Sequence, residues 1–348
     1  MAKRKWYAAF LGSLAVTLGM VCAMAAGLFS AATAAAEDLI DELHRVPYKI
    51  VYETLRGDNW NLYMINADGS NPVNLTRDPH VNELYPHVSP DGTKLTFTCD
   101  EGEGDAKNRN LYYKNLDGSG RTLVAKNARD ACWNADGTAI AYLPAEFEKF
   151  TYKDFASKGI CVYDLATGKQ RQHPNPDLHH LYNVCWSPDG NWFVATVHAG
   201  MGFDHAHLAI EAEGMGVFNL KIPGCRPDIS PDGKRLAWGA GDYVLSVADL
   251  DVSGPQPKLT NRRDIVTSEK PNMIYHIDWS PDGKYVAFSR GPVVKRLGLS
   301  CEFVGMQADG WNICVADPTQ KNRWVAITSD GNSNKEPDWV PLKKESNP

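Results

Sequence analysis

An all-β fold of repeated four-stranded antiparallel blades is predicted by three observations: a recurring turn, an alternating apolar pattern on each side of it, and a repeat length near fifty residues. The turn recurs in Tyr85-Pro-His-Val-Ser-Pro-Asp-Gly92, Cys132-Trp-Asn-Ala-Asp-Gly137, Cys185-Trp-Ser-Pro-Asp-Gly190, Pro227-Asp-Ile-Ser-Pro-Asp-Gly233 and His276-Ile-Asp-Trp-Ser-Pro-Asp-Gly283. Its aspartates Asp91, Asp136, Asp189, Asp232 and Asp282 stand 45, 53, 43 and 50 residues apart. Self-similarity at this period is the mark of a repeat architecture, in which each unit buries its apolar surface against its neighbours. Glu336-Pro-Asp-Trp-Val-Pro341 keeps the first half of the motif and lacks the turn.

Each repeat reads the same way. An apolar or aromatic position precedes the turn, and Asp-Gly suits a tight connection because glycine accepts positive φ and aspartate bonds the turn backbone. A short alternating run follows: Lys94–Phe97, Ala139–Tyr142, Trp192–Ala195, Arg235–Trp238 and Tyr285–Phe288. After a loop of variable length comes a second run, as in Asn110–Tyr113, Ile160–Tyr163, Tyr243–Ser246 and Asn312–Val315. A further turn, such as Asn115-Leu-Asp-Gly118 or Ala166-Thr-Gly168, leads to an outer edge strand. Period-two alternation between turn signals specifies short antiparallel strands. Four such strands per repeat describe a β-propeller blade, and radial closure removes most of the exposed sheet edge.

The chain begins in mid-repeat. Tyr48–Glu53, Asn61–Asn66 and Val73–Thr76 read as the second, third and fourth strands of a blade whose first strand is supplied by Glu336–Trp339. This predicts six blades in a ring closed by the N- and C-terminal strands, with seven as the alternative. The expected domain organisation is a signal peptide over 1–36, a leader over 37–47, the propeller over 48–342 and a tail over 343–348.

The signal peptide follows from Lys3-Arg-Lys5, an apolar run from Trp6 to about Phe29 and the small residues Ala32-Thr-Ala-Ala-Ala36. The run is also long enough for an uncleaved anchor. Cys22 lacks the sequence context of a lipoprotein site. The expected location is therefore extracytoplasmic, a periplasm or its equivalent, with no membrane association after cleavage. The 348 residues are 43% hydrophobic and carry a net charge of −6. They supply a large core but no basic face for a nucleic acid. Seven cysteines follow the signal segment and none forms Cys-x-x-Cys, so no c-type haem, zinc knuckle or thioredoxin motif is present.

The Ser-Pro-Asp-Gly-Lys-x-Val-Ala-Phe pattern, fullest at Asp278 to Phe288, and Leu62-Tyr-Met-Ile-Asn-Ala-Asp-Gly69 resemble the TolB-like periplasmic propeller repeats over residues 48–342. Such repeats occur in translocation scaffolds, peptidase propeller domains and subunits of exported complexes. The peptidase version would need an α/β-hydrolase domain and a Gly-x-Ser-x-Gly elbow, and the chain has neither. Lys221-Ile-Pro-Gly-Cys-Arg-Pro-Asp-Ile-Ser-Pro-Asp-Gly233, in a propeller of this length without a haem motif, looks like the haem-free β subunit of hydrazine synthase from anammox bacteria. That resemblance implies multihaem c-type cytochrome subunits as partners, chemistry located on their haems, and the anammoxosome as the compartment.

Three groups of residues carry candidate chemistry. Aligning the first strands places His87, Cys132, Cys185, Asp228, Asp278 and Asp338 at one repeat position, so that an inward register would form a channel ring of metal-ligand types. The alternatives are backbone-bonded polar residues or, for Cys132 and Cys185, an inter-blade disulfide. His179, His180, His198, His205 and His207 are half of the ten histidines and fall within blade three, where they could hold a metal. Cys301 and Cys314 bracket one loop and could form a disulfide.

The acidic stretch Asp100–Asp105 could ligate calcium, although a solvated turn explains it equally. Trp133, Trp186, Trp279 and Trp339 share one repeat position and read as packing between blades. The expected function is binding, as a non-catalytic subunit of a multi-protein complex, with partner contacts in the loops 147–155, 198–207 and 292–306. The alternatives are a metal-dependent enzyme using the blade-three histidines and a stand-alone envelope scaffold of the TolB type. No cofactor is expected to be covalently bound.

Overall fold

The alternating runs pair into six four-stranded antiparallel sheets. The computed structural model describes residues 36–341 apart from 77 and 79; the expected signal peptide, except residue 36, and the expected tail lie outside them. Blade one comprises Asn82–Val88, Lys94–Glu101, Asn108–Asn115 and Thr122–Ala125 from the axis outward. Blade two is Ala128–Trp133, Ala139–Pro144, Cys161–Asp164 and Gln170–Gln172, and blade three is Leu181–Trp186, Trp192–Gly200, Phe203–Glu211 and Val217–Asn219. Blade four is Cys225–Ile229, Arg235–Gly241, Val244–Asp251 and Lys258–Thr267. Blade five is Asn272–Trp279, Val286–Pro292, Asn312–Ala316 and Trp324–Ala326, with a small extra hairpin, Lys295–Arg296 and Leu299–Ser300, in its long loop.

Blade six takes its inner strand, Ser333–Val340, from the C-terminal end and pairs it antiparallel with Lys49–Arg56, followed by Asn59–Asn66 and Val73–Asn74. The ring is thus clasped by both ends of the chain and has six blades, not the alternative seven.

The core is divided between blades. Leu111, Val124 and Ala125 of blade one pack on Trp133, Ile140 and Tyr142 of blade two. Val51 and Leu62 of blade six pack on Val88, Leu95 and Phe97 of blade one and complete the circuit. Trp279 lies between blades four and five, and Trp339 between blades five and six. The indole N–H of Trp133 donates to the carbonyl of His87 at 3.0 Å, and that of Trp279 to Asp228 at 3.2 Å. An interface of this kind joins hydrophobic area to a satisfied polar handle.

The Ser-Pro-Asp-Gly turns are braced internally. Asp91 accepts from Ser89 Oγ at 2.5 Å and from the Thr93 N–H at 3.0 Å, and the pattern recurs at Asp189, Asp232 and Asp282. The expected leader carries a short helix at residues 36–43. Its Leu39 and Leu43 are fully buried against blades five and six, and Arg323 ties Asp38 and Glu42 to the outer edge of blade five. Among the described residues no helix is long and apolar enough to cross a membrane.

Candidate functional site: an axial funnel and its plug

Every inner strand carries the same irregularity. Pairing with the second strand slips between Leu84 and His87, Arg129 and Cys132, Tyr182 and Cys185, Cys225 and Asp228, and Tyr275 and Asp278, with a matching slip opposite Glu336 in blade six. In each bulge one residue takes a left-handed backbone: Tyr85 (φ 55°), Asp130 (48°), Asn183 (51°), Arg226 (60°), His276 (56°) and Glu336 (50°). None is glycine, so each bears a conformation that side-chain-bearing residues rarely adopt. The bulge sets two successive side-chain layers on the axis.

The layer nearer the Ser-Pro-Asp-Gly turns is the aligned set. His87, Cys132, Cys185, Asp228, Asp278 and Asp338 form the floor of a funnel of about 280 Å3. Its wall is Val88, Trp133, Trp186, Ile229, Trp279 and Trp339, and its rim is Pro90, Ala135, Pro188, Pro231, Pro281 and Pro341. The aspartates fasten adjacent blades: Asp228 accepts the N–H of Trp279 at 2.9 Å, Asp278 that of Trp339 at 2.7 Å, and Asp338 that of Val88 at 2.8 Å. Asp338 also bonds His87 Nδ1 at 2.8 Å. Burial, followed by repulsion from Asp338, raises Asp228 to about 7, and the same two causes hold Asp278 well above the usual carboxyl range. Burial opposes the charge on His87, but the Asp338 contact outweighs it and raises its pKa.

Beneath the floor lies a second chamber of about 80 Å3, bordered by Tyr85, Asn183, Arg226, His276 and Glu336 of the bulge layer. Arg226 stands 3.6 Å from both Asp154 and Glu336, and Glu336 stands 2.8 Å from His276 Nε2. Asn183 donates to the Tyr85 hydroxyl. Burial, then the neighbouring Arg226 and Lys335 charges, hold His276 neutral. Sequence alignment on the tryptophan position missed this layer. The repeated register slip was its only signal, and that slip appears only once strands are paired.

The far end of the axis is closed. Residues 301–304, in the long loop of blade five, are gripped by cations from around the ring. Lys335 donates to the carbonyls of Cys301 (3.1 Å) and Phe303 (2.8 Å), Arg226 to Glu302 (2.8 Å) and Arg109 to Val304 (3.3 Å). Lys335 is fully buried beside Glu53 at 3.6 Å, and Arg109 is held bidentately by Asp100 at 2.7 and 3.0 Å. Asp100 is thereby committed to an ion pair, which removes it from the calcium reading of the acidic stretch.

The expected loops 147–155 and 292–306 meet on this closed face with residues 198–207, which are not a loop but the ends of the paired strands Trp192–Gly200 and Phe203–Glu211 joined by a two-residue turn. Asp154 and Phe155, His198 and His205, and Glu302 and Phe303 border one groove of about 310 Å3. Tyr152, Arg296, Leu297 and Met306 border a second of about 590 Å3.

The five histidines of blade three do not converge on one point. His179 bonds the Asp177 carbonyl and the Met201 N–H, and His180 bonds the Ala199 carbonyl and Glu146. His207 is buried beside the Ile222 carbonyl and lowered to about 4 by that burial. Only His198 and His205 share a groove, with their rings 5.7 Å apart and His205 bonded to the Tyr182 hydroxyl. Among the described residues no group of three or more His, Cys, Asp or Glu side chains is arranged to hold a metal ion, so neither the histidine cluster nor the channel ring forms such a centre. The seven described cysteines are free thiols. Cys301 packs with Trp311 and Met273 while Cys314 packs with Phe288 and Val286, so the two belong to separate clusters and the expected disulfide is not formed. Cys132 and Cys185 both border the funnel without bonding to each other.

Fold and axis together define a six-bladed propeller with one open funnel and one plugged end. Solved structures share the architecture. TolB from Acinetobacter baumannii aligns with a TM-score of 0.57 at 16% identity, over 84% of this chain and 67% of that one. A chain of the nidogen/laminin complex aligns at 0.57 and 9% identity, over 84% and 98%. Hydrazine synthase of Kuenenia stuttgartiensis aligns at 0.57 and 11% identity, over 86% of this chain and 47% of that one, so this protein spans about half of that relative. At these identities the likeness is one of fold. No protein-family model and no curated protein matches the sequence.

Proposed function

We propose that the protein is an exported, non-catalytic propeller that binds other proteins as a subunit or scaffold of a multi-protein complex. The observation that carries this reading is the convergence of the long loops 147–155 and 292–306 with the 198–207 hairpin on the plugged face. Their exposed apolar side chains have no role in the fold: Leu297 is 88% exposed at the tip of the extra hairpin, Phe147 54% and Val293 41%. Isolated exposed apolar residues are ordinary, but three on loops of one face mark an interaction surface. The plug beneath holds the long loop on a buried ionic base, which limits the ordering cost of binding.

Likeness in fold to a chain of the nidogen/laminin complex and to hydrazine synthase supports a protein-binding role. The narrower reading, a haem-free subunit beside multihaem c-type cytochromes in an extracytoplasmic compartment, rests on the Lys221–Gly233 stretch and the N-terminal targeting pattern.

Native purification from the source organism, followed by peptide identification of co-migrating chains, tests both. A stable partner lost from Leu297→Asp and Phe147→Asp variants supports the binding role, and multihaem chains among the partners support the narrower one. Purification as a monomer at native abundance overturns the subunit role.

A further inference from the structure

The open funnel lies at the opposite end of the axis from the loop face and is independent of the reading above. Its wall and rim are apolar, with Pro188, Pro231, Pro281 and the indoles of Trp279 and Trp339 around the mouth. Its floor is acidic. Asp338 uses both carboxylate oxygens, one on Val88 and one on His87, while Asp228 and Asp278 each use one oxygen to clasp the next blade. Beyond those clasps the two carboxyls face each other, and Asp228 also accepts the Ile229 N–H. Of the residues bordering the funnel, only His87 can carry positive charge, and Asp338 already pairs with it.

The chamber below adds an acceptor. His276 is 3% exposed, and its Nε2 lies against the Glu302 carbonyl and Glu336, which makes its Nδ1 the lone-pair nitrogen. That Nδ1 has no hydrogen-bond partner, although His276 borders the chamber. The Oδ1 of Asn183, another residue bordering the chamber, is likewise unpartnered. Unpartnered Nε and Nη1 atoms of Arg226 are also present, but that guanidinium is already charge-matched by Asp154 and Glu336. A buried acceptor without a donor is costly. What is missing along the axis is therefore a compact cation with several N–H donors. The wall above the floor calls for an alkyl stem on that cation, since an ammonium on a methylene chain keeps its stem in apolar surroundings and its head among acceptors.

We propose that the funnel is a binding site for a primary alkylammonium group, with the stem against the proline and tryptophan wall and the –NH3+ between Asp228 and Asp278. The same chemistry is offered by a free aliphatic amine and by a lysine side chain of another protein.

Calorimetric titration of the purified full-length protein with n-butylammonium chloride tests the site. A second arm compares Gly-Lys-Gly with Gly-norleucine-Gly. Saturable binding of butylammonium is expected, weakened about tenfold or more in Asp278→Asn and in Asp228→Asn because one of the two carboxyls that face the ammonium is lost. Asparagine keeps an oxygen for the Trp339 or Trp279 N–H, and an unchanged melting temperature shows that the blade clasp survives. Selective binding of Gly-Lys-Gly over the norleucine peptide assigns the site to lysine side chains as well as to free amines, and binding of butylammonium alone assigns it to free amines. Absence of saturable binding in both arms overturns the proposal. So does equal binding by wild type and both variants, or displacement of the amine by an equal concentration of potassium chloride, which would mark a site for any monovalent cation.

Discussion

Asp338, on the inner strand of blade six, accepts the backbone N–H of Val88 at 2.8 Å across 250 positions of sequence. Asp228 and Asp278 make the same bond to the blades that follow them, so this contact extends the inter-blade clasp across the junction that closes the ring. Closure therefore depends on a charged acceptor as well as on the apolar packing of blade six against blade one. Asp338→Ala strands a buried N–H and releases His87, and should cost about 1–3 kcal/mol. Asp338→Asn should recover much of that loss. Urea unfolding measures the cost, and amide exchange at Val88 locates it: exchange there should accelerate in the alanine variant and not in the asparagine one.

Stability should fall as pH rises from about 4 to about 7, the unfolded and folded values of the buried carboxyls. Asp228, Glu53 and Glu336 are each raised to about 7, in every case mainly by burial. In that window the folded state binds protons that the unfolded chain has released, so each step up in pH favours unfolding. The turn aspartates Asp91, Asp189 and Asp232 act oppositely: their hydrogen bonds outweigh burial and lower their pKa values, and their contribution is lost only as pH falls below about 4. Unfolding midpoints at pH 5 should therefore exceed those at pH 8. The slope should flatten in Asp228→Asn, and an unchanged slope would contradict the burial of that carboxyl.

Lys335 holds the plug. Lys335→Ala frees the Cys301 and Phe303 carbonyls and leaves Glu53 buried without its cation, a class of change that costs about 3–5 kcal/mol. Limited proteolysis should then cut the long blade-five loop near the Lys295–Arg296 strand faster than any other segment. Lys335→Met combined with Glu53→Gln removes both charges and should be milder than the single alanine variant.

Gly224 opens the inner strand of blade four at φ +92°, where a Cβ would lie 1.8 Å from the Gly239 carbonyl oxygen. Gly224→Ala cannot be accommodated without moving that strand pair. It should lower stability by more than the ~1 kcal/mol ordinary for a glycine-to-alanine change at positive φ. The melting temperature checks this, with Gly190→Ala, also at positive φ but with open space around its Cβ, as the reference for backbone strain alone.

Reducing agent should leave the melting temperature unchanged, because the seven described cysteines are thiols and burial raises Cys132, Cys185, Cys301 and Cys314 above the ordinary thiol range. Ellman titration should find these thiols slow in the native state and reactive in urea. A drop in melting temperature on reduction would contradict the free-thiol state of these cysteines.

Much of the fold was readable because its signals are local. The Asp-Gly turns, the alternation beside them and the orphan strand Glu336–Trp339 depend on a few adjacent residues each, and together they gave six blades and the joint closing blade. The ring at His87, Cys132, Cys185, Asp228, Asp278 and Asp338 could be aligned for the same reason. Its chemistry could not: whether three aspartates face a metal, one another or a neighbouring N–H depends on blade-to-blade spacing. The histidines misled because nearness in sequence along blade three is not convergence. His179 and His180 turn to the Asp177 and Ala199 carbonyls, while His207 is buried beside the Ile222 carbonyl.

The sequence alone determined a closed ring of blades, since each repeat carries its own strands and turn and cannot bury its apolar faces without two neighbours. Tertiary structure decided what the axis holds. Tyr85, Asp130, Asn183, Arg226, His276 and Glu336 share no residue type and lie far apart in the chain, yet one bulge per blade turns them into a single layer. That layer separates an acidic, apolar-walled funnel from a plugged end, because a side chain's direction in a strand depends on a register that only pairing fixes.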